Sequence, residues 1–116
     1  MGLVAEGDLV VAALPQASGA PKLRPVLLLR KMPGFGDYLA CGISSQIHQA
    51  IPDFDLVLTK DHTDFAASGL FTASVVRLGF LGILVPAQMK RKLGRLSPGT
   101  MKAVRQKLAE FLTTNS

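Results

Sequence analysis

At 116 residues, 48% hydrophobic and 18% charged, the chain is long enough for one packed core and too apolar for whole-chain disorder. A single cysteine, Cys41, excludes an internal disulfide, and its neighbours predict a buried strand thiol, which fits a reducing cytoplasm. Residues 1–64 carry five Lys/Arg and seven Asp/Glu (−2) and residues 65–116 carry eight Lys/Arg and Glu110 alone (+7). This sums to +5 and favours a polyanionic partner, nucleic acid or an acidic protein segment, about as strongly as it favours a solvated basic face.

In chain order, Gly7-Asp8 opens an apolar run from Leu9 to Leu14 that Pro15 closes, which predicts a first strand. Residues 16–22, small, polar and bearing glycine and proline, read as a mobile loop. The next stretch organises the chain. Arg24-Pro25 feeds straight into Val26-Leu27-Leu28-Leu29, four apolar residues without alternation, as in a strand buried on both faces. Proline fixes φ and pushes the residue before it to an extended conformation, so Arg24 is a positioned cation at a strand mouth. The strand is expected to run to Lys31, with a Pro33-Gly34 turn leading to an antiparallel partner, Tyr38 to Ser44.

A polar cluster, Ser44-Ser45-Gln46-Ile47-His48-Gln49, follows that strand, where sites are often built and where hydrogen-bonded turns are equally at home. Asp55 to Thr59 reads as a short edge strand, and Lys60 to Asp64 as a charged loop. Residues 65–89 hold one charge, Arg77. Three glycines and Pro86 within the stretch, and an arginine that would cost several kcal/mol in lipid, argue against a membrane span. The expected parse is a loop from Ala66 to Thr72, a strand from Ala73 to Leu78, a glycine bend, and a short strand from Gly82 to Val85. Period two sets Val75 and Arg77 against Val76 and Leu78, so Arg77 must find water or an anion. Pro86 to Leu93 reads as a short helix stopped by Gly94. Ser97-Pro98 caps a final helix with an apolar stripe of Met101, Val104, Leu108, Phe111 and Leu112, leaving Lys102, Arg105 and Lys107 outside. The whole is a mostly β (α+β) fold: a small antiparallel barrel or sheet closed by a C-terminal amphipathic helix.

Several chemistries drop out. His48, His62 and Cys41 lack zinc-ligand spacing, and no phosphate-cradling glycine loop is present. No paired carboxylates stand out beyond Asp53 and Asp55, which flank Phe54. Ser44 and Ser45 have no base at a diagnostic position to make a nucleophile. No basic-then-apolar leader with a cleavage site is visible, so export is not expected.

Gly7-Asp8-Leu9-Val10-Val11, Arg24-Pro25-Val26-Leu27-Leu28, Gly42-Ile43-Ser44-Ser45-Gln46, Ser74-Val75-Val76-Arg77-Leu78 and Leu93-Gly94-Arg95-Leu96-Ser97, in this order, resemble the PemK/MazF toxin family over nearly the whole chain. The resemblance implies an SH3-like β-barrel of the CcdB/MazF type, working as a cytoplasmic homodimer. It implies a toxin of a type II toxin–antitoxin pair that cuts single-stranded RNA, without metal or other cofactor, to 2′,3′-cyclic phosphate and 5′-hydroxyl ends. Its partners would be mRNA and an acidic antitoxin. By position Arg24 matches the family's catalytic arginine, Ser44 its catalytic threonine, and Arg77 a second basic position that some members use in catalysis. Lys22, Ser45, Gln46 and His48 would line the RNA groove. Gly79 replaces an acidic residue of some members, and Gly82-Ile83-Leu84-Val85 replaces the usual segment with arginine and aspartate. Two function classes therefore fit: a ribonuclease, or a non-catalytic RNA- or antitoxin-binding module of the same fold.

Overall fold

The computed structural model describes residues 3–15 and 20–114; most of the expected loop at 16–22 lies outside them. Six strands form one antiparallel sheet: β1 (Asp8–Ala13), β2 (Leu23–Lys31), β3 (Tyr38–Ser44), β4 (Leu56–Leu58), β5 (Ser74–Leu84) and β6 (Arg91–Arg95). Their order across the sheet is β4-β5-β3-β2-β1-β6, a half-barrel with β4 and β6 at its edges. Two helices accompany it, a single turn α1 (Phe65–Ser68) and the long α2 (Pro98–Thr113).

The doubly buried reading of β2 holds, because side chains from it supply both sides of the sheet. Leu27 and Leu29 join Leu9, Cys41, Ile43, Val76 and Leu78 in one cluster, covered by Met101, Val104 and Leu108 of α2. Val26 and Leu28 join Val10, Ala12, Leu14, Tyr38 and Ala40 in a second. Ser97 caps α2, its hydroxyl accepting from the Thr100 N–H with Pro98 in the first turn. The apolar stripe is shorter than expected. Phe111 and Leu112 are 64% and 68% exposed, because the last turn outruns the core; Phe111 meets the Phe54 ring at a centroid distance of 4.9 Å. Arg105 is half-buried rather than outside, reaching Glu6 at 3.8 Å.

Three other expectations are corrected. The expected loop after Asp64 begins with a helical turn, α1, which Gly69 ends in the left-handed region at φ 74°. The bend expected between two strands is a bulge within one. Val76 faces Ile43 and Leu81 faces Cys41, so residues 77–80 stand against Gly42 alone and the strand continues past both glycines. Asp55 holds this bulge, its Oδ1 accepting from the Leu78 N–H at 3.0 Å and its Oδ2 from the Ile51 N–H at 3.0 Å. The expected helix from Pro86 to Leu93 is a 3-10 turn, Pro86–Gln88, followed by β6. Here tertiary pairing overrides local pattern: β1 needs a partner on its open edge, and the Lys90 N–H donates to the Val11 carbonyl at 2.7 Å. Lys92 lies 3.3 Å and Arg95 3.9 Å from the buried Asp8 carboxylate, which ties β6 down.

Candidate active site

The site grows from the register of β2 on β3. Val26 stands opposite Gly42, and carrying that antiparallel register two residues further sets Arg24 opposite Ser44. Directly opposed residues share a face, so the guanidinium and the hydroxyl emerge together where β2 begins and β3 ends. A cleft of about 320 Å³ opens there, walled by Arg24, Ser44, Ser45, Phe71 and Thr72 over Ile43 and Leu70.

Ser44 is oriented by the turn that follows it. Its Oγ accepts from the Gln46 N–H at 3.0 Å, which leaves its own hydrogen free to donate. Arg24 is oriented by an aromatic ring. Its guanidinium carbon lies 5.4 Å from the centroid of Phe80, and that of Arg77 lies 5.8 Å from the same centroid. Phe80 can lie there because position 42 has no side chain; a Cβ on Gly42 would come within 2.5 Å of the ring. The Arg24 Nε is buried with no hydrogen-bond partner among the described residues. The ring restricts the guanidinium without neutralising it, so the positive charge is not cancelled by a carboxylate.

Arg24, Ser44 and Ser45 thus share the cleft, and Arg77 is brought in through Phe80 rather than through the cleft wall. Lys22 is exposed just before β2, while Gln46 and the exposed His48 sit on the turn after β3, outside the cleft lining. Sequence reasoning missed Phe80 and Phe71. A glycine at position 42 inside an apolar strand was the available sign that something lies close against β3.

Other groups are excluded by their surroundings. Burial, reinforced by the Asp55 charge, pushes the Cys41 thiol far up, so it stays protonated. The Asp53 and Asp55 pair does not act as one: Asp55 is committed to the bulge. His62 accepts from the Asp64 N–H through Nδ1, on the rim of a separate cavity of about 290 Å³ between β4 and α2. Among the described residues no three His, Cys, Asp or Glu side chains lie together as a metal site, and no helix is long and apolar enough to cross a membrane.

A curled antiparallel sheet with an arginine and a serine hydroxyl at one strand mouth defines a small mostly β protein with a cleft that carries a cation and several hydroxyls. Residues 5–112 match the model of the PemK-like, MazF-like toxin of type II toxin–antitoxin systems, and the chain belongs to that family. Among solved structures it is similar to the Mycobacterium tuberculosis toxin MazF-mt6, with a TM-score of 0.63 and 16% identity over 92% of this chain and 99% of that one. It is similar as well to an endoribonuclease from Mycobacterial species in complex with its cognate antitoxin, with a TM-score of 0.62 and 17% identity over 98% and 99% of the two chains. At such identities the likeness is one of fold. No curated protein sequence matches the chain.

Proposed function

We propose that the chain is a metal-independent, sequence-selective endoribonuclease that cuts single-stranded mRNA as the toxin of a type II pair. The observation that carries this reading is the placing of Arg24 and Ser44 on one cleft, with Arg24 and Arg77 sharing the Phe80 ring. In the reaction the ribose 2′-oxygen attacks the adjacent phosphorus, and the 2′-hydroxyl gives up its proton. The bond from phosphorus to the 5′-oxygen breaks, and that oxygen takes up a proton. The products are a 2′,3′-cyclic phosphate and a 5′-hydroxyl. Negative charge builds on the non-bridging oxygens of the phosphorane. The planar fork of Arg24 and the hydroxyl of Ser44 are placed to stabilise it, with Arg77 adding positive potential. The high pKa of arginine suits charge stabilisation rather than proton abstraction. Lys22, Ser45, Gln46 and His48 would hold the flanking nucleotides. An acidic antitoxin segment over the cleft would silence the enzyme, and the active form would be a homodimer.

The test is cleavage of long single-stranded RNA in EDTA, with product ends mapped chemically, for wild type and Arg24→Ala. Wild type should cut and leave cyclic phosphates. The variant, still folded, should lose on the order of 100- to 1000-fold in kcat, as when an oxyanion donor is removed. Intact RNA from folded wild type across many sequences would overturn this reading and leave a binding module.

A further inference from the structure

We infer that Phe71 is a stacking platform for an unpaired nucleobase next to the phosphate held by Arg24. The inference rests on the ribonuclease reading and deepens it by naming a residue that grips the substrate. Phe71 is 99% exposed, which by itself means little, since single exposed apolar side chains are common. Its place gives the exposure meaning: among the described residues it is the only aromatic side chain on a cleft whose rim carries the Arg24 guanidinium and the hydroxyl residues Ser44, Ser45 and Thr72, over an apolar floor that includes Ile43 and Leu70.

The ring is presented on a clamped stem. The Ser68 hydroxyl donates to the Phe65 carbonyl at 2.6 Å and accepts from the Leu70 N–H at 3.1 Å. The Ser74 hydroxyl donates to the Thr72 carbonyl at 2.8 Å, closing the other side. Leu70 is partly buried against the first core cluster, and the backbone at Gly69 lies so close to Leu93 that any side chain there would collide with it. The backbone around Phe71 is thus tied down on both sides, while its ring is left in water. A single-stranded nucleic acid supplies what the cleft lacks: a phosphate for the cation and a flat π-face for the ring. Stacking tolerates any base, so Phe71 contributes affinity broadly, and the Ser45 and Thr72 hydroxyls beside it would read base edges.

The chain has no tryptophan, so Phe71→Trp introduces a single fluorescent reporter at the platform. Short 2′-O-methyl RNA of mixed sequence is the probe, because it binds without offering the attacking hydroxyl. Its addition should quench the Phe71→Trp fluorescence. Phe71→Ala should weaken binding on the order of ten- to a hundredfold, as expected for one lost base stack. Phe35→Ala is the control: Phe35 is 90% exposed, but on the turn at the far end of β2 and β3, and its loss should leave binding unchanged. On cleavable RNA, Phe71→Ala should raise KM and leave kcat nearly unchanged. Equal binding by wild type and Phe71→Ala, with an unquenched tryptophan, overturns the platform and leaves the ribonuclease reading standing. Failure of wild type to bind the RNA overturns both. Quenching by polyglutamate and not by RNA overturns the platform in favour of an acidic protein partner.

Discussion

Phe80 does at the residue scale what a carboxylate often does for an arginine: it restricts the guanidinium without neutralising it. A carboxylate partner would spend the positive charge that a phosphate needs, whereas an aromatic face leaves the charge available. Removing the ring should therefore affect rate more than fold. Phe80 is only half-buried at the border of the second core cluster, so Phe80→Leu keeps most of its apolar contact. If the proposed ribonuclease reading holds, Phe80→Leu melts close to wild type and loses roughly tenfold or more in kcat, with KM little changed, because a misplaced catalytic group costs rate steeply. Phe80→Tyr, which keeps the face, should restore most of it. Single-turnover cleavage beside a thermal melt separates the two effects. A variant whose kcat tracks its stability would show that the ring only fills space.

At the scale of elements, the α2 start and the loop before α1 are joined by one buried carboxylate. Asp64 accepts from the Ser97 N–H and hydroxyl, both at 2.9 Å, and so fixes the residue that caps α2. Burial by itself would raise its pKa. The Ser97 N–H and the Thr100 and Ser97 hydroxyls outweigh burial and hold it below its ordinary 3.8. A folded pKa below the unfolded one means that the unfolded chain binds more protons in the window between them. Asp64 therefore stabilises the fold above about pH 4, and that contribution fades as pH falls through the folded value. Urea midpoints should drop across that acid range for wild type, and Asp64→Asn should flatten part of the slope; parallel slopes would remove Asp64 from the account. This joint was not legible in the sequence, where Asp64 looked like one charge in a solvated loop. Nor was β6, because a strand recruited by the open edge of β1 carries no local signal beside the helix-like Pro86 start. What was legible was local. Apolar runs bounded by turn residues gave β1 to β3, and Arg24-Pro25 and the polar residues after β3 gave two walls of the cleft. Phe80 depends on how many residues β5 inserts opposite Gly42, and a bulge of that size shows only once strands are paired.

Over the whole molecule, the charge split along the sequence is partly cancelled in space. The acidic start of the chain clasps the basic end: Asp8 meets Lys92 and Arg95, and Glu6 meets Arg105 and also Arg30. The +7 of the second part is therefore not a bare basic face, and part of it closes the half-barrel instead of binding a partner. The two sides of the clasp are unequal. Asp8 is fully buried and also accepts from the Ala5 N–H at 2.8 Å, whereas the side chains of Lys92 and Arg95 are 42% and 54% exposed. Removing Asp8 strands a backbone donor and frees both cations from the β1 edge. Removing Lys92 leaves Asp8 with Arg95, and the vacated space is open to water. We expect Asp8→Ala to destabilise by about 1–3 kcal/mol, the range for a partly buried hydrogen-bonding group that loses its partner. Lys92→Ala should cost less than about 1 kcal/mol, in keeping with a half-exposed ion pair. Urea unfolding at neutral pH would read both, with an unchanged m-value showing that the same fold is being compared. Equal losses for the two variants would mean that the clasp works through long-range charge rather than through the buried carboxylate. A larger loss for Asp8→Ala would place the joint between the two ends of the chain on that one side chain.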